Sequence, residues 1–347
     1  METLNPKIKV LVVDDAAMVR NIFTRELLKD PAIEVVGTAA DAFIAREKVA
    51  ELKPDVMLLD IEMPQMDGLT FLEHLMENDP MPVIIVSSLV KAGGYVALRS
   101  LELGAADVIA KPGPAYSVKD MSEQLIEKIK AVAQMKQYKR FLAEEAEPVK
   151  TVSRQSDPKQ TSKVIAIGAA TGGPEAIAAI LTKLPADMPP ILIVQHMPSY
   201  FIKAFAERLN NICALEVKEA QHQEQVVPGT ALLAPGNKHM VLQRKGNGYI
   251  VAVKDGPLVL HQRPSIEVLF RSVAMYAGPD AIGVLLTGMG KDGAQGLLDM
   301  KNAGAFTIAQ DEASCAVYGL SREAVAINAT NHVASLEEIP QLLVDHS

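Results

Sequence analysis

The chain has 347 residues, 49% hydrophobic and 22% charged, the composition of a soluble globular protein too long for one ordinary core. No apolar stretch reaches the roughly 18 residues of a membrane span, and METLNPKIKV lacks the basic and apolar regions of a signal peptide, so a cytosolic protein is expected. A net charge of -8 without Lys/Arg blocks argues against nucleic acid as a partner. The two cysteines, Cys213 and Cys315, lie far apart with no C-x-x-C, which favours buried thiols over a disulfide framework or a zinc site.

From residue 7 to about residue 143, short Val/Ile/Leu runs alternate with longer amphipathic segments, the pattern of parallel strands joined by crossover helices. Strands are predicted at residues 9–13, 34–38, 56–59, 83–86 and 107–110, and a last helix at 119–143. Residues 144–162 mix Pro, Ser, Lys and Gln with almost no large apolar residue, so they read as an exposed linker between a domain at 1–143 and another at 163–347. The second half restarts with a strand at 164–167, a glycine-rich turn and a helix at 175–184. A strand at 191–194 and a helix at 200–209 follow, and the alternating pattern returns with a helix near 265–276 and a strand at 281–287. Between them, Pro228-Gly229, Pro235-Gly236, Gly246-Asn247-Gly248 and Asp255-Gly256 punctuate short runs, predicting antiparallel hairpins at one sheet edge. The expected fold class is α/β: a five-stranded, parallel, doubly wound (flavodoxin-like) domain, then an α/β domain with a mainly parallel sheet and an antiparallel edge hairpin.

The first four polar strand ends carry one chemistry. Asp14 with Asp15, Asp60, Ser87 and Lys111 each follow an apolar run, and in a doubly wound sheet the loops after the strands gather where ligands bind. Three carboxylates brought together repel one another unless a cation separates them, and oxygen-only ligation favours Mg²⁺. Asp60 would attack an activated phosphoryl group, Lys111 would clamp its oxygens, and Ser87 would turn its hydroxyl toward it. Each residue alone is more often a turn former or cap; together, in order, they are unlike chance.

This set resembles the receiver domain of bacterial response regulators. The resemblance implies that Asp14, Asp15, Asp60 and the carbonyl of Glu62 hold Mg²⁺, that Asp60 accepts phosphate from a histidine kinase, and that Lys111-Pro112 is a cis peptide. The sequence departs from that pattern at Val108, where an aromatic switch residue is usual, and at Ala16, where relatives often carry serine.

The segment Gly168-Ala169-Ala170-Thr171-Gly172 has the form G-x-A-x-G between a strand and a helix; with serine at its centre it would be a nucleophile elbow. His196 after one strand and Asp292 in TGMGKDG after another supply a base and an orienting carboxylate. Alone, His196 reads better as a packed histidine and Asp292 as a turn residue. A phosphate cradle is the weaker reading of the turn, because position 170 breaks G-x-G-x-x-G and no G-K-[ST] follows.

With the receiver in front of them, IGAATGGPEA, VQHMP, PGNKHM, RPS and LTGMGKDGA resemble chemotaxis protein-glutamate methylesterases over nearly the whole chain. The resemblance implies hydrolysis of glutamate methyl esters, and deamidation of glutamine, on the cytoplasmic helices of chemoreceptors, with no cofactor for the ester chemistry. It also implies His196 as base then acid, Asp292 as its orienter, Thr171 as a support for the imidazole, and backbone near Met289 as an oxyanion donor. His239 and His261, in PGNKHM and HQRPS, either line the cleft or face solvent, the latter being the better default, and His222 reads as surface. Ala170 has no oxygen to attack with, so the chain is expected to be nearly inactive. The alternatives are a pseudo-enzyme that binds methylated receptors under phosphorylation control and, more weakly, a nucleotide-binding effector.

Overall fold

The computed structural model describes residues 6–87, 93–111, 118–135 and 163–347. The chain divides into two compact units, Met1–Glu145 and Ala146–Ser347. Among the described residues no helix is long and apolar enough to cross a membrane.

The first unit is built on β1 (Ile8–Val13), β2 (Ile33–Ala39), β3 (Val56–Asp60), β4 (Val83–Ser87) and β5 (Asp107–Ala110), connected through α1 (Ala17–Leu27), α2 (Ala42–Leu52), α3 (Gly68–Asn78) and α4 (Gly93–Glu102) and followed by α5 (Val118–Ala133). The strands are parallel in the order β2-β1-β3-β4-β5. β3 is buried along its whole length, which is why it reads as an unbroken apolar run. Helix starts are set locally: Asp41 caps α2 through the N–H of Ile44, and Asp67 caps α3 through Leu69 and Thr70. Strand order reverses between β1 and β3, and the crevice at that switch point opens at the ends of the two strands, beside Asp14 and Asp60. α5 ends at Ala133, where Gln134 and Met135 turn back onto Ala131 and Val132, so the predicted helix is shorter than expected; residues 136–143, the linker at 144–162 and Pro112 of the predicted cis bond lie outside the described residues.

The second unit carries β6 (Val164–Ala169), α6 (Gly173–Leu181), β7 (Ile191–Gln195), α7 (Ser199–Ile212), β8 (Glu216–Glu219), β9 (Glu224–Val226), β10 (Thr230–Leu233), β11 (His239–Lys245) and β12 (Gly248–Lys254). It continues with α8 (Ile266–Tyr276), β13 (Ala281–Leu285), α9 (Ala294–Asn302), β14 (Phe306–Gln310), α10 (Leu320–Ala326), β15 (His332–Ala334) and α11 (Ile339–His346). Its main sheet is parallel in the order β15-β14-β13-β6-β7-β10-β8. From β6 the chain builds first toward β7 and later, from β13, in the opposite direction. The switch point therefore lies between β6 and β13.

The antiparallel hairpin exists, with Gly246-Asn247 as its two-residue turn between β11 and β12, but it pairs with β9 in a separate three-stranded sheet. β8 and β10, predicted within the antiparallel region, join the main sheet in parallel. The turn residues mark where the chain bends and do not specify which sheet receives each strand. Cys213 and Cys315 are unpaired and only partly buried, so the expectation of buried thiols holds in part. Burial nevertheless pushes their pKa values up to about 11 and about 12, which keeps both protonated at neutral pH.

The core of this unit gathers on α8, whose Ile266, Leu269, Phe270 and Val273 are all 0% exposed. Phe270→Ala is expected to destabilise the second unit by about 3–5 kcal/mol, through lost burial and an unfilled cavity. Urea denaturation followed by circular dichroism reads this as an earlier midpoint for the second unit, with the first unit's transition unmoved.

Candidate functional site

In the first unit, Asp14 directly follows β1 and Asp60 closes β3; both are 1% exposed, whereas Asp15 faces solvent. One carboxylate oxygen from each of the three lies within 4.8 Å of the others. Lys111, just past β5, places Nζ 2.9 Å from Asp14 Oδ2 and 2.7 Å from Asp60 Oδ2. The ammonium is thus within charge-assisted hydrogen-bond reach of both carboxylates. Burial pushes the Asp60 pKa up, Lys111 pulls it down, Asp14 adds repulsion, and the balance is upward. Burial pushes Lys111 down, but the two carboxylates outweigh it and hold its pKa above the ordinary value. Three carboxylates against one ammonium leave a surplus of negative charge on an oxygen-only donor set. That arrangement fits a hard divalent cation.

The surrounding backbone is held independently. Arg20 donates to the carbonyls of Asp14 and Asp15 at 2.7 and 2.9 Å, and the N–H of Glu62 reaches Asp60 Oδ1 at 3.3 Å. Ala16, at the start of α1, offers no side-chain cap, but its N–H donates to Asp14 Oδ1 at 2.9 Å. Val108 is 3% exposed within β5. Ser87 ends β4, as predicted, and the direction of its hydroxyl lies outside the described residues.

In the second unit, three loops converge at the carboxyl edge of the sheet: residues 170–172 after β6, His196 after β7, and Leu286 to Gly293 after β13. The ring of His196 meets Asp292 across 96 residues of sequence, with Nε2 2.8 Å from Oδ2. Nδ1 is therefore the nitrogen left to serve a reacting group. Asp292 is 3% exposed and accepts three further bonds: from Ser265 Oγ at 2.7 Å, from the N–H of Ile266 at 2.7 Å and from the N–H of Glu267 at 3.1 Å. It thus sits on the positive end of α8. Burial pushes its pKa up, but the bonds from His196, Ser265 and Ile266 outweigh this and hold it below the ordinary value.

Ala170 lies in the turn between β6 and α6 and is 6% exposed. Its N–H donates to the Thr287 carbonyl at 3.0 Å, and its own carbonyl accepts from Gly173 at 2.8 Å. The left-handed residue of this turn is Gly172, at φ 76, and not the central residue, so the strained centre of a nucleophile elbow is absent. Gly288 packs directly against Ala170: at φ 154, an added Cβ would fall 2.5 Å from the Ala170 methyl. Thr287 knits the loops, its hydroxyl reaching the carbonyl of Thr171 at 3.0 Å and accepting from the N–H of Val317 at 2.9 Å. Thr171 is 5% exposed, and Met289 is partly buried with its N–H unbonded among the described residues.

Of the other histidines, His222 and His261 are exposed, but His239 is 5% exposed, which corrects its expected solvent position. Its Nε2 lies 2.9 Å from the Pro257 carbonyl, an acceptor only, so Nε2 carries the proton and Nδ1 receives the Ser265 N–H at 3.3 Å. Sequence reasoning missed Ser265, Thr287 and Gln195 as parts of this site, and for His239 it preferred solvent over the cleft. The one local signal was Ser265 in RPS, placed where a helix cap belongs; it caps α8 through the N–H of Val268.

The two units together define a class, a receiver domain joined to an α/β effector domain with a hydrolase-type His/Asp pair. Residues 10–123 match the response regulator receiver domain family, and residues 165–343 match the CheB methylesterase family. Protein-glutamate methylesterase/protein-glutamine glutaminase 2 of Syntrophus aciditrophicus is 56% identical over 338 residues, covering 97% of this chain and 98% of that protein. The corresponding protein 4 of Anaeromyxobacter dehalogenans is 53% identical, covering 97% and 94%. The crystal structure of the Thermotoga maritima CheB methylesterase catalytic domain aligns with a TM-score of 0.53 at 34% identity, over 53% of this chain and 98% of that one. The chain belongs to the CheB methylesterase family, hydrolases that here carry a receiver domain.

Two pH-linked outcomes follow from these environments. A carboxyl whose folded pKa is raised binds its proton more tightly folded than unfolded, so Asp60 lowers stability as pH rises from the ordinary carboxylate value through the raised one. Asp60→Asn is expected to raise the thermal midpoint of the first unit at neutral pH in metal-free buffer, with the gain vanishing below the ordinary carboxylate range. Asp292 has the opposite sign: its lowered pKa contributes stability above the ordinary value that is lost as pH falls through the folded one. Asp292→Asn is expected to cost about 1–3 kcal/mol at neutral pH by leaving buried donors mismatched, and the cost should shrink in acid. Thermal scans of the variants across pH measure both; gaps of constant size would contradict the assignments.

Proposed function

We propose that this chain is a phosphorylation-regulated protein-glutamate methylesterase and glutamine deamidase of bacterial chemotaxis adaptation, acting in the cytoplasm on the methylated helices of chemoreceptors, and that Ala170 leaves it without its nucleophile. The observation that carries the reading is the 2.8 Å pair of His196 and Asp292 beside the turn that holds position 170. Nucleic acid and membrane insertion have no place in this scheme.

In the receiver, Asp60 attacks the phosphoryl group of a phosphohistidine on the chemotaxis kinase; the new P–O bond replaces the P–N bond, and imidazole leaves. Asp14, Asp15, Asp60 and the carbonyl of Glu62 would hold Mg²⁺, which when bound would supply positive charge to offset that of the phosphoryl oxygens. Lys111 stands at the same oxygens, and Ser87 offers its hydroxyl. Phosphorylation then shifts the protein between two states of different access to the effector site. With Val108 at the usual aromatic position, an aromatic rotation at that residue has no part in the shift.

With serine at position 170, Oγ would attack the ester carbonyl carbon and pass its proton to His196 Nδ1. The C–O bond to methoxide would break as that proton moves on, releasing methanol, and water would then cleave the acyl-serine with His196 again as base. Asp292 holds the imidazole by Nε2, Thr171 buttresses the turn, and the Met289 N–H faces the developing oxyanion. Alanine supplies no oxygen for the first bond.

The test is methanol release from methylated receptor membranes, with Mg²⁺ and a small phosphodonor, by this chain and by Ala170→Ser. The serine form is expected to turn over roughly a million-fold faster, the scale on which a serine hydrolase loses turnover without its nucleophile. Equal rates would overturn the role given to position 170. Inactivity of both, with tight receptor binding, would leave the non-hydrolysing binding protein as the function.

A further inference from the structure

Gln195 is the last residue of β7, 2% exposed, and its amide reaches beyond the end of the sheet. The ladder between β6 and β7 finishes at the pair Ala169 and Gln195, with the His196 N–H donating to the Ala169 carbonyl at 3.0 Å. Past that point no main-chain bond between described residues joins position 170 to His196. The side chain of Gln195 supplies the next link: Nε2 donates to the carbonyl of Ala170 at 2.8 Å and to the carbonyl of His196 at 3.1 Å. One planar amide thus holds the turn of the nucleophile position and the loop of the candidate base.

The amide has a single workable orientation. Reversed, Oε1 would face two carbonyl oxygens. As it stands, Oε1 is buried and accepts no hydrogen bond among the described residues. It is wedged over Gly173, where an added Cβ would fall 2.0 Å from Oε1. A buried acceptor left without a donor is uncommon and calls for a reason. Packing alone would be served by an apolar side chain of the same length; the two Nε2 bonds would not.

Building on the reading under Proposed function, we infer that Gln195 is a positioning residue: its amide fixes the separation of residue 170 from His196, and with it the approach of a nucleophile at 170 to Nδ1. The requirement is geometric and independent of the side chain at 170, so the site stays assembled around alanine. Gly173 is the second half of the device, because it alone leaves room for Oε1.

The test uses Gln195→Met, which keeps length and volume and removes the donor. In the Ala170→Ser background, kcat for methanol release is expected to fall about 10- to 100-fold with KM nearly unchanged, the signature of misplaced reacting groups. In the chain as it stands, with Ala170, the ¹⁵N-labelled His196 ring is expected to give one sharp set of NMR signals that broadens or doubles in Gln195→Met. Gly173→Ala, which displaces the amide by a different route, is expected to reproduce the broadening. A Gln195→Met protein that keeps its kcat and its His196 spectrum, changing only in thermal midpoint, would reduce Gln195 to a packing residue. An inactive Ala170→Ser form would overturn the esterase reading instead, and the NMR comparison would still decide the role of the amide.

Discussion

The effector unit is organised around one buried negative charge. Asp292 is shielded from water, and an isolated carboxylate in that position would take up a proton. It remains ionised because four donors from two segments converge on it: the ring of His196 after β7, and the hydroxyl of Ser265 with two N–H groups at the start of α8. Satisfying this charge fixes the end of α8, the loop after β13 and the orientation of an imidazole after β7 in a single act. The same helix carries the core of the unit through Leu269, Phe270 and Val273, so packing and site geometry are set by one element.

The receiver pocket follows the opposite electrostatic design. Its lysine offsets only part of the charge that Asp14, Asp15 and Asp60 bring together, and the pKa of Asp60 moves up where that of Asp292 moves down. A site whose charges are already balanced is a fixed support. A site with uncompensated charge stays open to a cation and to chemistry at one of its oxygens. The two carboxylates at the heart of this protein therefore differ in role because they differ in the number and kind of donors around them.

Position 170 separates chemistry from architecture. Its backbone is held by Thr287, Gly173 and Gln195, and its methyl belongs to the buried apolar cluster, against Gly288. The hydrogen bonds described at this position use its main chain alone. The pair of His196 and Asp292 owes its geometry to α8 and to the loops rather than to the side chain at position 170.

Much of this was legible in the sequence, because local patterns carry it. Continuous apolar runs marked the parallel strands, and the residues just past them, Asp14, Asp60, Lys111, His196 and Asp292, stood where a parallel sheet gathers its functional loops. Those runs and motifs by themselves determined the two α/β units and the short list of reactive residues. Tertiary structure alone decided the partners: that β8 and β10 join the main sheet while β9 leaves it, that His239 is buried beneath Ser265, and that the amide of Gln195 spans from Ala170 to His196. Gln195 meets a residue 25 positions away and His239 one 26 positions away, and local periodicity has no term for such contacts. They follow from which strands lie side by side and from the need to give each buried polar group a partner, and both are settled only when the whole chain is folded.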